Sequence, residues 1–122
     1  MPRIMIVDDD PEIIDLTREI LGDEGYTVIG AESGEECLKK LKEEPVDLVL
    51  MDFFMPGMDG RTVIEKIRET PDLKDAKIAF FTSATFRKRG MEIMKELNIV
   101  DYITKSFDMD DFISRIKKII GK

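Results

Sequence analysis

Hydrophobic positions along the chain follow two alternating rhythms. Short, nearly unbroken apolar runs occur at Ile4–Val7, Thr27–Ala31, Val46–Met51, Ile78–Phe81 and Val100–Ile103. Runs of that length predict strands, and the most apolar of them, Val46–Met51, predicts one covered on both faces. Between the runs, apolar residues return at helical spacing. Ile13, Ile14, Leu16, Ile20 and Leu21 mark a first helix, with Asp10 as its cap, Pro11 at its first position and Gly22 to Gly25 closing it. Ser33 and Glu36 form a capping-box pattern ahead of Cys37, Leu38 and Leu41. Met55-Pro56-Gly57 and Asp59-Gly60 break the chain into a loop before Val63, Ile64 and Ile67, a third helix that ends near Pro71. Met91, Met94 and Leu97 give a fourth stripe, and Asp108 caps a fifth helix with Phe112, Ile113, Ile116, Ile119 and Ile120 on its buried side. Strict alternation of strand and helix predicts an α/β fold, a parallel sheet with helices on both faces. No linker, repeat or low-complexity tract interrupts it, so a single domain over residues 1–122 is expected.

Composition narrows the function. A chain of 122 residues that is 43% hydrophobic is long and apolar enough to fold around its own core. The net charge of −7, from 19 Lys+Arg against 26 Asp+Glu, argues against a general nucleic-acid binder, so no direct nucleic-acid contact is expected. The absence of histidine excludes a histidine phosphocarrier, a histidine kinase and a Ser-His-Asp hydrolase within this chain. Cys37 is the only cysteine, which rules out an intrachain disulfide and fits a packed thiol. No apolar run is long enough to span a bilayer and no segment reads as a secretory leader, so a cytoplasmic location with no membrane partner is expected.

The ends of the predicted strands carry the chemistry. In a parallel sheet all strands finish on one edge, and ligands bind in the crevice outside it. The first strand ends at Asp8-Asp9, the third at Asp52, the fourth at Thr82-Ser83, and the fifth is followed by Lys105. Carboxylates crowded together repel unless a cation joins them. Oxygen ligands without His or Cys suit Mg²⁺, an ion that keeps waters and bridges to phosphate. The Lys105 ammonium and the Thr82 hydroxyl then suit an anion, as in the electrostatic clamps of phosphoryl transfer. A carboxylate can itself attack phosphorus, and Asp52, central in the expected sheet, is the assigned nucleophile. No GxxxxGK[ST] loop is present to hold a nucleotide.

Together these motifs resemble the receiver domain of two-component response regulators, above all the free-standing chemotaxis type. The resemblance covers the whole chain and rests on Val7-Asp8-Asp9, on Leu50-Met51-Asp52-Phe53-Phe54-Met55-Pro56-Gly57-Met58-Asp59-Gly60, on Thr82, and on Tyr102-Ile103-Thr104-Lys105-Ser106-Phe107. It implies a flavodoxin-like (βα)5 three-layer sandwich with strand order 2-1-3-4-5. It implies phosphorylation of Asp52 by a histidine kinase or a small phosphodonor, with Mg²⁺ on Asp9, Asp8, Asp52 and the backbone carbonyl of Phe54. Thr82 and Lys105 would hold phosphoryl oxygens, and Thr82 with Tyr102 would form the switch. The changed surface would be the face of the fourth helix, fifth strand and fifth helix, where a downstream protein docks. The implied device is a binding switch with self-catalysed chemistry, not a turnover enzyme. Because the chain ends directly after the last helix, output is expected through another protein unless this is a piece of a longer one.

Two positions depart from the family's pattern. Ser106 replaces the proline that usually follows the lysine. A cis bond without proline costs roughly 3 kcal/mol, and a cis or distorted Lys105–Ser106 bond is expected. Phe54 places a bulky ring where smaller or polar side chains are common, which predicts slow self-hydrolysis. Asp10 and Asp59 are read as helix-entry acids, Met91 and Met94 as helix packing, and Arg87-Lys88-Arg89 as a solvated helix end or an acidic partner's docking patch. Three rival readings stay open: a phosphohydrolase of the haloacid dehalogenase type using Asp8-Asp9-Asp10, a flavodoxin-like FMN carrier, and a receiver that docks without being phosphorylated.

Overall fold

The computed structural model describes residues 2–83, 88–105 and 108–121. Strands and helices alternate in chain order: β1 (Arg3–Val7), α1 (Pro11–Asp23), β2 (Thr27–Ala31), α2 (Gly34–Glu43), β3 (Leu48–Met51), α3 (Gly60–Glu69), β4 (Ile78–Thr82), α4 (Lys88–Leu97), β5 (Asp101–Thr104) and α5 (Met109–Ile120). The sheet is parallel throughout, in the order β2-β1-β3-β4-β5. This is the expected flavodoxin-like sandwich.

Side chains alternate across a strand, and the alternation sorts the apolar residues into two cores. Met5, Val7, Val49, Met51, Ile78 and Phe80 face Cys37 and Leu41 of α2, Val63, Ile64 and Ile67 of α3, and Ile93 and Leu97 of α4. Ile4, Ile6, Leu48, Leu50, Ala79 and Phe81 face Ile14, Ile20 and Leu21 of α1, and Phe112 and Ile116 of α5. The unbroken apolar run of β3 arises because both of its faces are covered.

The helix starts follow their acids and hydroxyls. Asp10 accepts from the Glu12 amide, Ser33 from Glu36, Asp59 from Thr62, and Asp108 from Asp110 and Asp111. Glu36 reaches back to accept from the Glu32 amide at 2.7 Å, one residue beyond the usual reciprocal partner, the N-cap amide.

Three expectations need correction. β3 begins at Leu48, not Val46, because the exposed Asp47 ties the chain to the start of β1. Its amide donates to the Arg3 carbonyl, and its carboxylate accepts from the Arg3 amide at 2.7 Å. Leu16 is 48% exposed, since the buried stripe of α1 runs through Ile14, Thr17, Ile20 and Leu21. Met91 is 72% exposed, because α4 turns Ile93 and Leu97 into the core and Met94 only flanks them.

Candidate functional site

Asp8, Asp52 and Lys105 are each carried one step past a strand by continued parallel pairing. The Asp8 amide donates to the Ala31 carbonyl and the Asp52 amide to the Val7 carbonyl, both at 3.0 Å, and the Lys105 amide donates to the Thr82 carbonyl at 2.9 Å. These bonds fix the backbone at the carboxyl edge of the sheet, so the side chains project into one crevice.

Asp8 and Asp52 are almost fully buried, at 1% and 5% exposure, while Asp9 is exposed. One oxygen from each of the three carboxylates lies within 4.8 Å of the others. The Lys105 ammonium enters the group from β5, pairing with Oδ2 of Asp8 and approaching Oδ2 of Asp52 at 3.3 Å. Oδ1 of Asp8 accepts from the Asp10 amide at 2.9 Å, and Oδ1 of Asp52 lies 3.4 Å from the Phe54 amide.

Burial pushes the Asp8 carboxyl above its usual range, with Lys105 and the Asp10 amide opposing the shift and Asp52 adding to it. Burial would lower Lys105, but the Asp8 and Asp52 carboxylates together outweigh it and hold the ammonium above its usual value. Lys105 therefore stays charged, and the cluster keeps two acids in excess over one cation.

The donor set fits a hard divalent cation. Oδ2 of Asp8 is buried and accepts no well-angled hydrogen bond, although the ammonium pairs with it electrostatically. A carboxylate oxygen in that position has lone pairs to offer a metal.

Thr82 is fully buried at the tip of β4, in register with Thr104 immediately before Lys105. Phe54, whose amide lies against Asp52, is 56% exposed, its ring edge-on to Phe53 at 5.2 Å. Tyr102 is half-buried on β5 and packs edge-on against Phe80 at 5.9 Å. The Lys105–Ser106 bond and Arg87 lie outside the described residues, as do the side chains of Lys88 and Arg89.

Sequence reasoning treated Asp59-Gly60 as a loop and helix entry and did not find how close that turn comes to the site. The Gly60 amide donates to the Phe53 carbonyl at 2.9 Å. A Cβ on Gly60 would collide with the Asp52 carbonyl oxygen and lie 2.8 Å from the Phe53 Cα. Only glycine lets α3 begin against the backbone of Asp52 and Phe53. The contribution of the Asp10 amide was also missed; the Asp10-Pro11 pair signals its cap but not the bond back to Asp8.

The profile of the response regulator receiver domain matches residues 4–117. The chain belongs to that family. Receiver domains are phosphoacceptor switches of two-component signalling. Among curated relatives, the transcriptional regulatory protein AruR of Pseudomonas aeruginosa is 34% identical, with 100% of this chain and 50% of AruR covered. CpxR of Escherichia coli is 32% identical, with 100% and 50% covered. The receiver thus spans about half the length of the curated relatives it matches. Among solved structures, the response regulator TrrA of Thermotoga maritima, in complex with Mg²⁺-BeF, is 39% identical with a TM-score of 0.83, covering 98% of this chain and 99% of TrrA. The chemotaxis protein CheY4 of Vibrio cholerae superposes with a TM-score of 0.90 and 98% coverage of each chain; at 24% identity it speaks for the receiver fold alone.

Proposed function

We propose that Asp52 is the phosphoacceptor, taking its phosphoryl group from a phosphohistidine of a histidine kinase or from a small phosphodonor. The observation that carries this reading is the meeting of the Asp8, Asp9 and Asp52 carboxylates with the Lys105 ammonium at one sheet edge. Asp8, Asp9, Asp52 and the Phe54 carbonyl are the assigned Mg²⁺ ligands. When bound, Mg²⁺ supplies charge neutralisation for the acids and for the incoming phosphoryl group.

The chain's own residues do the rest. An oxygen of Asp52 forms a bond to phosphorus while the bond from phosphorus to the donor breaks, phosphorus–nitrogen in phosphohistidine or phosphorus–oxygen in an acyl phosphate. The bonding pair leaves with the imidazole nitrogen or the carboxylate oxygen, and no redox partner is needed. Lys105 pivots from its carboxylates toward the transferred oxygens, and the Thr82 hydroxyl donates to another. The added charge biases two conformations of the domain. Thr82 and Tyr102 are the assigned switch, and the face of α4, β5 and α5 is the assigned docking surface for a downstream protein.

In this reading residues 1–122 form one receiver domain that works in the cytoplasm, touches no nucleic acid itself and turns over no substrate. Among the described residues no helix is long and apolar enough to cross a membrane. Treatment with acetyl phosphate and Mg²⁺ should add one phosphoryl group, seen by intact-mass measurement, and Asp52→Asn should abolish it. Modification of Asp52→Asn at the wild-type rate would defeat the assignment.

A further inference from the structure

β2 forms one margin of the sheet, hydrogen-bonded to β1 on one side and open on the other. The bonds at its two ends fix which backbone groups face inward. The Thr27 amide donates to the Pro2 carbonyl, and the Ala31 carbonyl accepts from the Asp8 amide. Backbone groups alternate sides along a paired strand, so Thr27, Ile29 and Ala31 turn toward β1. Val28 and Gly30 turn their amides and carbonyls to the open margin, and Glu32, next in the same row, offers its amide just past the strand. Such an edge is a template for another strand. The β-branched run Thr27-Val28-Ile29 suits one.

Two side chains of α2 lie over the carboxyl half of that margin. The Lys40 ammonium donates to the Gly30 carbonyl at 2.6 Å. Oε1 of Glu36, one helical turn earlier, accepts from the Glu32 amide at 2.7 Å and lies 3.8 Å from the Lys40 ammonium. An acid and a base four residues apart share one helix face. Here each takes the backbone group of opposite polarity: the acid a donor, the base an acceptor. Arg18 adds a cation from α1, its Nη2 lying 3.1 Å from the place a Gly30 Cβ would occupy. Among the described residues, the Gly30 amide and the amide and carbonyl of Val28 stay open to an added strand.

The margin is complementary to itself. A second copy of β2, laid antiparallel about a twofold axis at Ile29, would set Val28 of each copy opposite Gly30 of the other. Residues opposed in this way exchange both of their hydrogen bonds. Each exchange needs a Gly30 carbonyl, and a lysine already holds it. The same axis would bring both Lys40 ammonium groups to one seam, where like charges repel.

We propose that the outer edge of β2 is a latent strand-addition surface for a second copy of this chain, held closed by the Glu36–Lys40 pair. It lies apart from the chemistry at Asp52 and does not depend on it.

Sedimentation equilibrium of the whole chain over a concentration series tests this. Lys40→Met keeps the length of the side chain without its donor, and should tighten self-association about tenfold or more relative to wild type. Val28→Pro removes an outward amide and leaves the β1 ladder its bonds, so adding it to Lys40→Met should restore the wild-type association constant. Lys40→Arg keeps a donor for Gly30 and should match wild type. An unchanged constant in Lys40→Met would overturn the proposal. So would a rise that Val28→Pro leaves intact, or one that Lys40→Arg shares in full. Should Lys40→Met not fold, Lys40→Ala removes the same ammonium and carries the same expectation. Should Val28→Pro not fold, amide exchange locates the contact in the lysine variant. The Val28 and Gly30 amides should slow about fivefold from dilute to concentrated solution while Ile6 in β1 stays constant; no slowing at those two would place the contact elsewhere and end the proposal.

Discussion

Cys37 has no exposed surface on the core-facing side of α2, and burial pushes its thiol from 9.0 up to about 12. A folded-state value above the unfolded one means that the fold favours the protonated thiol. That contribution is fully present below pH 9.0 and is lost as pH rises toward about 12. Iodoacetamide at about pH 8 should therefore label Cys37 only as the protein unfolds, on a timescale set by opening. Labelling of the native protein at the rate of a free thiol would contradict the packing described. Gly60 makes a second residue-scale prediction. Because a Cβ there meets the backbone of Asp52 and Phe53, Gly60→Ala should cost about 1–3 kcal/mol in urea unfolding and weaken beryllofluoride binding. Phe54 is a third case. Its ring is largely exposed two residues past Asp52, and if Asp52 is the phosphoacceptor as proposed, the ring would limit the approach of water to the phosphoryl group. Phe54→Asn should shorten the phosphoryl half-life severalfold after the donor is removed; an unchanged half-life would count against shielding.

The helix ends matter most at the scale of elements. Asp10 caps α1 with its side chain and serves the site only through its amide. Asp10→Ala should lower stability by about 1 kcal/mol, read from the urea midpoint, while Mg²⁺-dependent beryllofluoride binding survives. Loss of binding would make the Asp10 carboxylate a ligand after all. Elements were largely legible in the sequence because caps and apolar spacing are local signals. Asp10-Pro11, Ser33, Asp59 and Asp108 all open helices where their side chains can satisfy free amides. The misread residues have a shared cause. Leu16 and Met91 are apolar and near helical spacing, but a helix has more apolar residues than its buried stripe can take. Which side turns inward depends on the sheet beneath. The start of β3 was misplaced for a related reason, since Val46 is apolar but Asp47 pairs with Arg3 across strands.

For the molecule as a whole, Lys105 is the counter-ion that allows two buried acids to coexist at a sheet edge. Lys105→Met should destabilise the protein by about 1–3 kcal/mol at neutral pH, and Mg²⁺ should restore more stability to the variant than it adds to wild type. The pH dependence has a definite sign. Burial raises Asp8, so the fold favours its protonated form; that contribution is complete below 3.8 and is lost as pH climbs through the raised value. The deficit of Lys105→Met should therefore be smaller at about pH 4 than at about pH 7 in thermal melts without Mg²⁺. A deficit independent of pH would show that Lys105 acts through packing and not through charge.

The sequence by itself determined the order of elements, their caps, the parallel sheet and the set of strand-end residues, because each follows from local chemistry and from the rule that strands in a parallel sheet finish on one edge. It also carried the family's motif, so the acids, Thr82 and Lys105 were nameable before any coordinates. Only the tertiary structure decided that Lys105 stands between Asp8 and Asp52, that Gly60 must lack a side chain, and that Lys40 binds the open edge of β2. Those facts join residues that are distant in the chain, and through-space contact leaves no periodic trace along it.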